Sequence, residues 1–170
     1  MAGYPLGLRN NNPGNLRATG DQWQGMIGSN QGFVVFQDIA YGIRALSIDL
    51  AGDIRQGLNT IEKLISEFAP PSENDTRAYI VALSAAAGIP YTQILQPDGS
   101  TLLKLIRGII KIENGSQYAA LINDDDIREG IEMSGNSVPV GQIGFGVSAA
   151  LLGLAVYLVA TMPKKSKVRA

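Results

Sequence analysis

Residues 102–113 read LLKLIRGIIKIE. Leu102, Leu103, Leu105, Ile106, Ile109, Ile110 and Ile112 recur at helical spacing, interrupted only by Lys104, Arg107, Gly108 and Lys111. An apolar surface this wide belongs at the centre of a helical body. Ser100 is the expected N-cap of this helix, and Gly115 is a natural stop just past its end. Working outward, residues 40–54 place Ile43, Leu46, Leu50 and Ile54 on one face of a second helix. Asn59 or Thr60 can cap a helix to Phe68, which Pro70 and Pro71 end. Asn74 or Asp75 can cap another from Thr76 to about Ala87, closed by Gly88 and Pro90. Residues 124–129 form a last short helix. Residues 1–32 are rich in Gly and Asn and read as loop with short extended pieces, not helix. Residues 32–36, Gly-Phe-Val-Val-Phe, read as a short strand that pairs near Trp23. The expected class is mainly α with a small β element.

The length of 170 residues suits one domain with a core of its own. The chain contains no histidine and no cysteine. That excludes a Ser-His-Asp triad, a cysteine nucleophile, a disulfide and a Cys/His zinc site. Catalysis is left to carboxylates, Lys, Tyr, Ser or an oxygen-held metal, and no cofactor is implied. Four basic residues, Lys164, Lys165, Lys167 and Arg169, crowd the C-terminus. The remaining 10 basic and 15 acidic residues make an acidic body, which argues against nucleic acid as a partner.

Residues 143–162, IGFGVSAALLGLAVYLVATM, carry no charge over a length that spans a bilayer core as a helix. The expectation is one C-terminal transmembrane helix, with Tyr157 near an interface and a basic tail, 163–170, on the cytoplasmic or equivalent side. Its small residues suit close helix packing. The N-terminus lacks the apolar core of a secretory leader. Residues 130–142 read as a linker, leaving 1–129 as the body. Lipid membrane is therefore an expected partner.

Several residues could carry chemistry. Glu113 ends the central helix. Apolar burial and the negative end of a helix dipole both disfavour a carboxylate, and a glycosidic general acid must hold a proton. Position alone fits a solvated helix end at least as well. RNNNPGNLR (9–17) concentrates amides that can donate to and accept from sugar hydroxyls and N-acetyl groups, although turn-forming asparagines bond their own backbone equally well. The segment 70–79 supplies Glu73, Asp75, Thr76 and Tyr79, with capping as the plain alternative. Asp124-Asp125-Asp126 lacks the spacing of a calcium loop and reads as a solvated helix start.

Together, RNNNPGNLR, Trp23-x-Gly25, Phe33-x-x-Phe36 followed by Gly42-Ile43-Arg44-Ala45, APPSENDT-x-x-Tyr (69–79) and Ile106-x-x-Ile109-Ile110-x-x-Glu113-Asn114-Gly115 resemble a family of phage and prophage virion proteins associated with peptidoglycan lysis. The same segments are similar to lysozyme-like transglycosylases and flagellar-type glucosaminidases, in a circularly permuted order. The resemblance implies an α+β lysozyme-like body that cleaves the MurNAc-GlcNAc strand as a lytic transglycosylase. It implies Glu113 as catalytic acid and base, and Tyr79, Asn12, Asn15, Glu73 and Thr76 as substrate-binding residues. Together with the expected membrane helix, it implies a location at a virion membrane or host inner membrane, with the body facing the cell wall. A hydrolase would instead need a second carboxylate, for which Glu73, Asp75 and Asp38 are candidates. The other readings are a non-catalytic virion membrane protein that binds the wall or supports assembly alongside other virion proteins, a holin- or spanin-like accessory, and a peptidase.

Overall fold

The computed structural model describes residues 3–70 and 75–138. Among these, the elements run α1 (Leu6–Arg9), β1 (Met26–Asn30), β2 (Phe33–Phe36), α2 (Ile39–Arg55), α3 (Ile61–Phe68), α4 (Thr76–Ala87), α5 (Gly99–Asn114), α6 (Ser116–Ala119) and α7 (Asp124–Met133).

The central helix expected from residues 102–113 is α5. Leu102, Leu105, Ile106 and Ile109 are fully buried. Each such side chain contributes about 1.5–3 kcal/mol of burial, which outweighs the modest propensities of a short isolated helix. α4 lies along α5, and Gly108 makes the approach possible: a Cβ there would meet Leu83 Cδ1 at 2.6 Å. α2 packs against α7 in the same way, with Gly130 under Ile43. α5 touches both helix pairs, so the core gathers around it.

The helix starts follow capping chemistry. Asp38, Thr60 and Asp75 accept backbone N–H groups at the starts of α2, α3 and α4. α4 ends at Gly88 in the left-handed region, which glycine enters without strain. The start of α5 corrects the expectation: Asp98, not Ser100, caps it, accepting from the Thr101 N–H at 2.9 Å, and the helix begins two residues earlier than read. Asn123 and Asp126 close a capping box on α7, and Asp124 pairs with Arg107 of α5.

The β element is a hairpin. β1 and β2 pair antiparallel from Asn30 opposite Phe33 to Met26 opposite Phe36. Gln31 and Gly32 form its two-residue turn with φ of 53° and 82°, the geometry whose twist suits tight hairpins. The partner strand therefore lies just after Trp23, as an extended piece of the kind expected there, while the short α1 in the same stretch corrects the expectation of no helix. Arg17 adds an isolated bridge to Phe33.

Two boundaries move. α7 continues to Met133, and Ile131 and Val138 are buried, so the folded body runs through residues assigned to a linker. Among the described residues, moreover, no helix is long and apolar enough to cross a membrane. The longest, α2, has 17 residues, about 26 Å against a hydrocarbon core of about 30 Å, and carries Arg44, Asp49, Asp53 and Arg55. The expected class of α body plus transmembrane helix is thereby corrected to a mostly helical body with a two-stranded sheet. The stretch 143–162, on which the membrane partner and membrane location rested, lies outside the described residues, as does the tail 163–170.

Candidate active site

Three parts of the chain converge at the C-terminal end of α5. Glu113 stands in its last turn. Tyr79, one turn into α4, donates its phenolic O–H to Glu113 Oε1 at 2.8 Å. Asn15, from the asparagine-rich loop, donates Nδ2–H to Glu113 Oε2 at 2.8 Å. Both carboxyl oxygens are thus held by neutral donors from segments 34 and 98 residues away. A carboxyl fixed at both oxygens on a helix end cannot swing freely, which is the preorganisation that proton transfer demands.

Tyr79 is 9% exposed, with its ring edge-on to Phe68 at 6.3 Å between centroids. Burial pushes its phenol well above the usual tyrosine range. The charge of Glu113 and the hydrogen bond to it add to the rise. Tyr79 therefore keeps its proton and acts as a fixed donor.

The loop around Asn15 is built by its own asparagines. Asn11 and Asn15 both sit at φ 51°, a left-handed conformation that asparagine tolerates better than most residues. Asn11 Nδ2 donates to the Phe36 carbonyl at 3.0 Å. Asn12 is 0% exposed; it donates to the carbonyls of Leu16 and Val34 and accepts from the Leu16 N–H at 2.9 Å. With its amide spent on backbone groups inside the protein, Asn12 stitches the loop to β2. Gly42 of α2 lets the helix press against the loop: a Cβ there would lie 2.0 Å from the Asn11 carbonyl oxygen.

Thr76 likewise spends its side chain on the backbone. It is buried and donates to the Ala69 carbonyl at 2.6 Å, pinning the base of α4 across the segment 70–75. That brace sets where α4 begins and so where Tyr79 reaches. Glu73 lies outside the described residues. Asp38 and Asp75 are occupied as N-caps, accepting from the N–H groups of Ala40 and Ala78. Among the described residues, the hydrogen-bond partners of Glu113 are Tyr79 and Asn15.

Reading residue types missed Asn114. It is 5% exposed and donates to the carbonyls of Pro13 at 2.8 Å and Ile110 at 3.0 Å. It thereby ties the loop carrying Asn15 to the helix turn carrying Glu113. Gly7 was missed as well: a Cβ there would lie 2.6 Å from Asn114 Oδ1 and 3.0 Å from Asn15 Oδ1. The signal for Asn114 was its place beside Glu113 in the string Glu-Asn-Gly. Nothing in the local sequence marks Gly7.

No family model matches the chain. Protein P5 of Pseudoalteromonas phage PM2 is 36% identical to it over 132 residues, covering 74% of this chain and 79% of that protein. Identity at this level over most of both chains implies a shared fold and descent, and the chain belongs to the family of bacteriophage proteins that includes Protein P5 of phage PM2.

Proposed function

We propose that this chain is a virion-associated enzyme that cuts the glycan strand of peptidoglycan as a lytic transglycosylase, with Glu113 as acid and base. The observation that carries the reading is the clamp on Glu113, with Tyr79 on one oxygen and Asn15 on the other. Membership in a phage protein family is consistent with it, because a phage must open the cell wall of its host.

The chemistry needs one carboxyl group. Protonated Glu113 gives its proton to the glycosidic oxygen between MurNAc C1 and GlcNAc O4 as the C1–O4 bond breaks, through an oxocarbenium-like transition state. The MurNAc 6-hydroxyl oxygen then bonds to C1, and its proton returns to Glu113. The products are a 1,6-anhydro end and a free 4-hydroxyl, with no water consumed. The substrate's own N-acetyl group supports the cation, so no second carboxylate is required. Tyr79 holds one carboxyl oxygen in place and, as a permanent donor, stabilises the carboxylate formed when the proton leaves.

The test is mass spectrometry of soluble products from purified peptidoglycan treated with the full chain or with Glu113→Gln. Anhydro-muropeptides that disappear in the variant establish the reading. Reducing-end products indicate a hydrolase and turn attention to Glu73, Asp75 and Asp38. No products from folded protein bound to the wall favour a structural virion protein.

A further inference from the structure

Asn15 and Asn114 each leave a buried amide oxygen without a hydrogen-bond donor among the described residues. Both oxygens face the same small space: they lie 3.0 Å and 2.6 Å from the point where Gly7 would carry a Cβ. A buried acceptor without a donor is costly. In the orientation that leaves these oxygens orphaned, Asn15 Nδ2 points at Glu113 Oε2. That is the right arrangement for a carboxylate. It is the wrong one for a carboxylic acid protonated on Oε2, which has a hydrogen to donate and would confront another donor.

Turning the Asn15 amide by half a turn exchanges its nitrogen and oxygen. Oδ1 then faces Oε2 and accepts its proton, while Nδ2 takes the place of Oδ1 on the space beside Gly7 that Asn114 Oδ1 also borders. We infer that Asn114 is a positioning residue that acts through Asn15, its Oδ1 receiving the turned amide so that Asn15 complements Glu113 in either protonation state.

This inference rests on the reading of Glu113 as a group that cycles between acid and base. With Glu113 protonated, Asn15 is its acceptor and Asn114 holds Asn15 in that pose. When the proton passes to the glycosidic oxygen, the amide turns back and Nδ2 donates to the new carboxylate. Among the described residues, the other titratable group hydrogen-bonded to Glu113 is Tyr79 of α4, which remains a neutral donor to Oε1 in both states. Asn114 stays fixed throughout, since its Nδ2 is held by the carbonyls of Pro13 and Ile110. Gly7 supplies the room, because any side chain there would fill the space between the two amides.

The test is a pH titration of the full chain by NMR, with labelled asparagine side-chain nitrogens and labelled glutamate carboxyl carbons. The expected result is a through-space contact between the Asn15 amide protons and the Gly7 α-protons. It strengthens on the acid side of the Glu113 transition and weakens on the alkaline side, with the same midpoint as the carboxyl signal. Glu113→Gln presents a permanent donor and should hold the acid-side contact at every pH. Asn114→Ala removes the receiving oxygen and should change the ratio of the two amide orientations about tenfold, with the pH midpoint of cleavage moving down accordingly. A contact that ignores both pH and the Glu113→Gln substitution overturns the inference, and so does an Asn114→Ala variant that loses stability but keeps the wild-type midpoint. Failure of the enzyme reading looks different: the contact switches with pH while peptidoglycan remains uncut.

Discussion

Replacing Gly7 by Ala sets two physical effects against each other. Gly7 lies within α1, where alanine is intrinsically favoured over glycine by about 1 kcal/mol. Local propensity therefore predicts a more stable protein. The tertiary structure predicts the reverse. The new Cβ would stand 2.6 Å from Asn114 Oδ1 and 3.0 Å from both the Asn12 carbonyl oxygen and Asn15 Oδ1. To reach ordinary van der Waals separation, Asn114 Oδ1 must retreat by about 0.8 Å and the other two oxygens by about 0.4 Å. None of the three is the tip of a long flexible chain. Asn114 is tethered to Pro13 and Ile110, Asn15 to Glu113, and the Asn12 carbonyl accepts the Asn15 backbone N–H at 2.9 Å. Overpacking costs about 1–3 kcal/mol, and three tethered groups put this site in the upper part of that range, at about 2–3 kcal/mol. After the propensity gain, a net loss of about 1–2 kcal/mol remains, a fall of roughly 3–10 °C in Tm for a body of this size. Because the displaced groups position Glu113, cleavage should fall by about 10- to 100-fold in protein that is still folded. Thermal unfolding followed by circular dichroism, alongside release of soluble muropeptides, checks both effects. A Tm equal to or above that of the wild type would refute the reasoning, because it would mean that α1 is free to move away from the end of α5.

Three further outcomes follow from the geometry. Tyr79 has a raised folded-state pKa, so above about pH 10 the unfolded chain releases its phenolic proton while the folded chain keeps it, and stability falls as pH rises. Tyr79→Phe should remove that contribution, about 1.4 kcal/mol per pH unit within the window, as read by urea unfolding at pH 9 and pH 11; equal slopes in the two proteins would contradict it. Asp98→Ala removes the N-cap of α5 and should cost about 1 kcal/mol by chemical denaturation, while the identity of the muropeptides is unchanged, because Glu113 lies at the opposite end of the helix. Asn12→Asp strips the donors from the Leu16 and Val34 carbonyls and buries a charge, so it should destabilise by 3 kcal/mol or more, of the order expected for an unpaired buried ion; a stable variant that is weak only in substrate affinity would place Asn12 in the binding site.

The sequence by itself determined the longer helices, α2 to α5, and the start of α7. Apolar spacing along 40–54 and 102–113 is a local property, and the burial it demands has few solutions in a chain this short. Capping was legible for the same reason: Thr60 and Asp75 act on N–H groups two or three residues away. The Asp98 cap was missed because Asp98, Ser100 and Thr101 compete for the same helix start, and only the seating of Gly99 against the Ser137 and Val138 backbone settles where α5 begins. Glu113, Tyr79 and Asn15 could be singled out by residue type and resemblance, but their contact spans 34 and 98 residues, and no local rule fixes such a distance. The same limit applies to Asn12 and Thr76. An amide or hydroxyl reads alike in sequence whether it faces a sugar or a backbone carbonyl. Only packing decides which partner it meets, because a polar group enclosed by the fold must spend its hydrogen bonds on whatever the fold brings beside it.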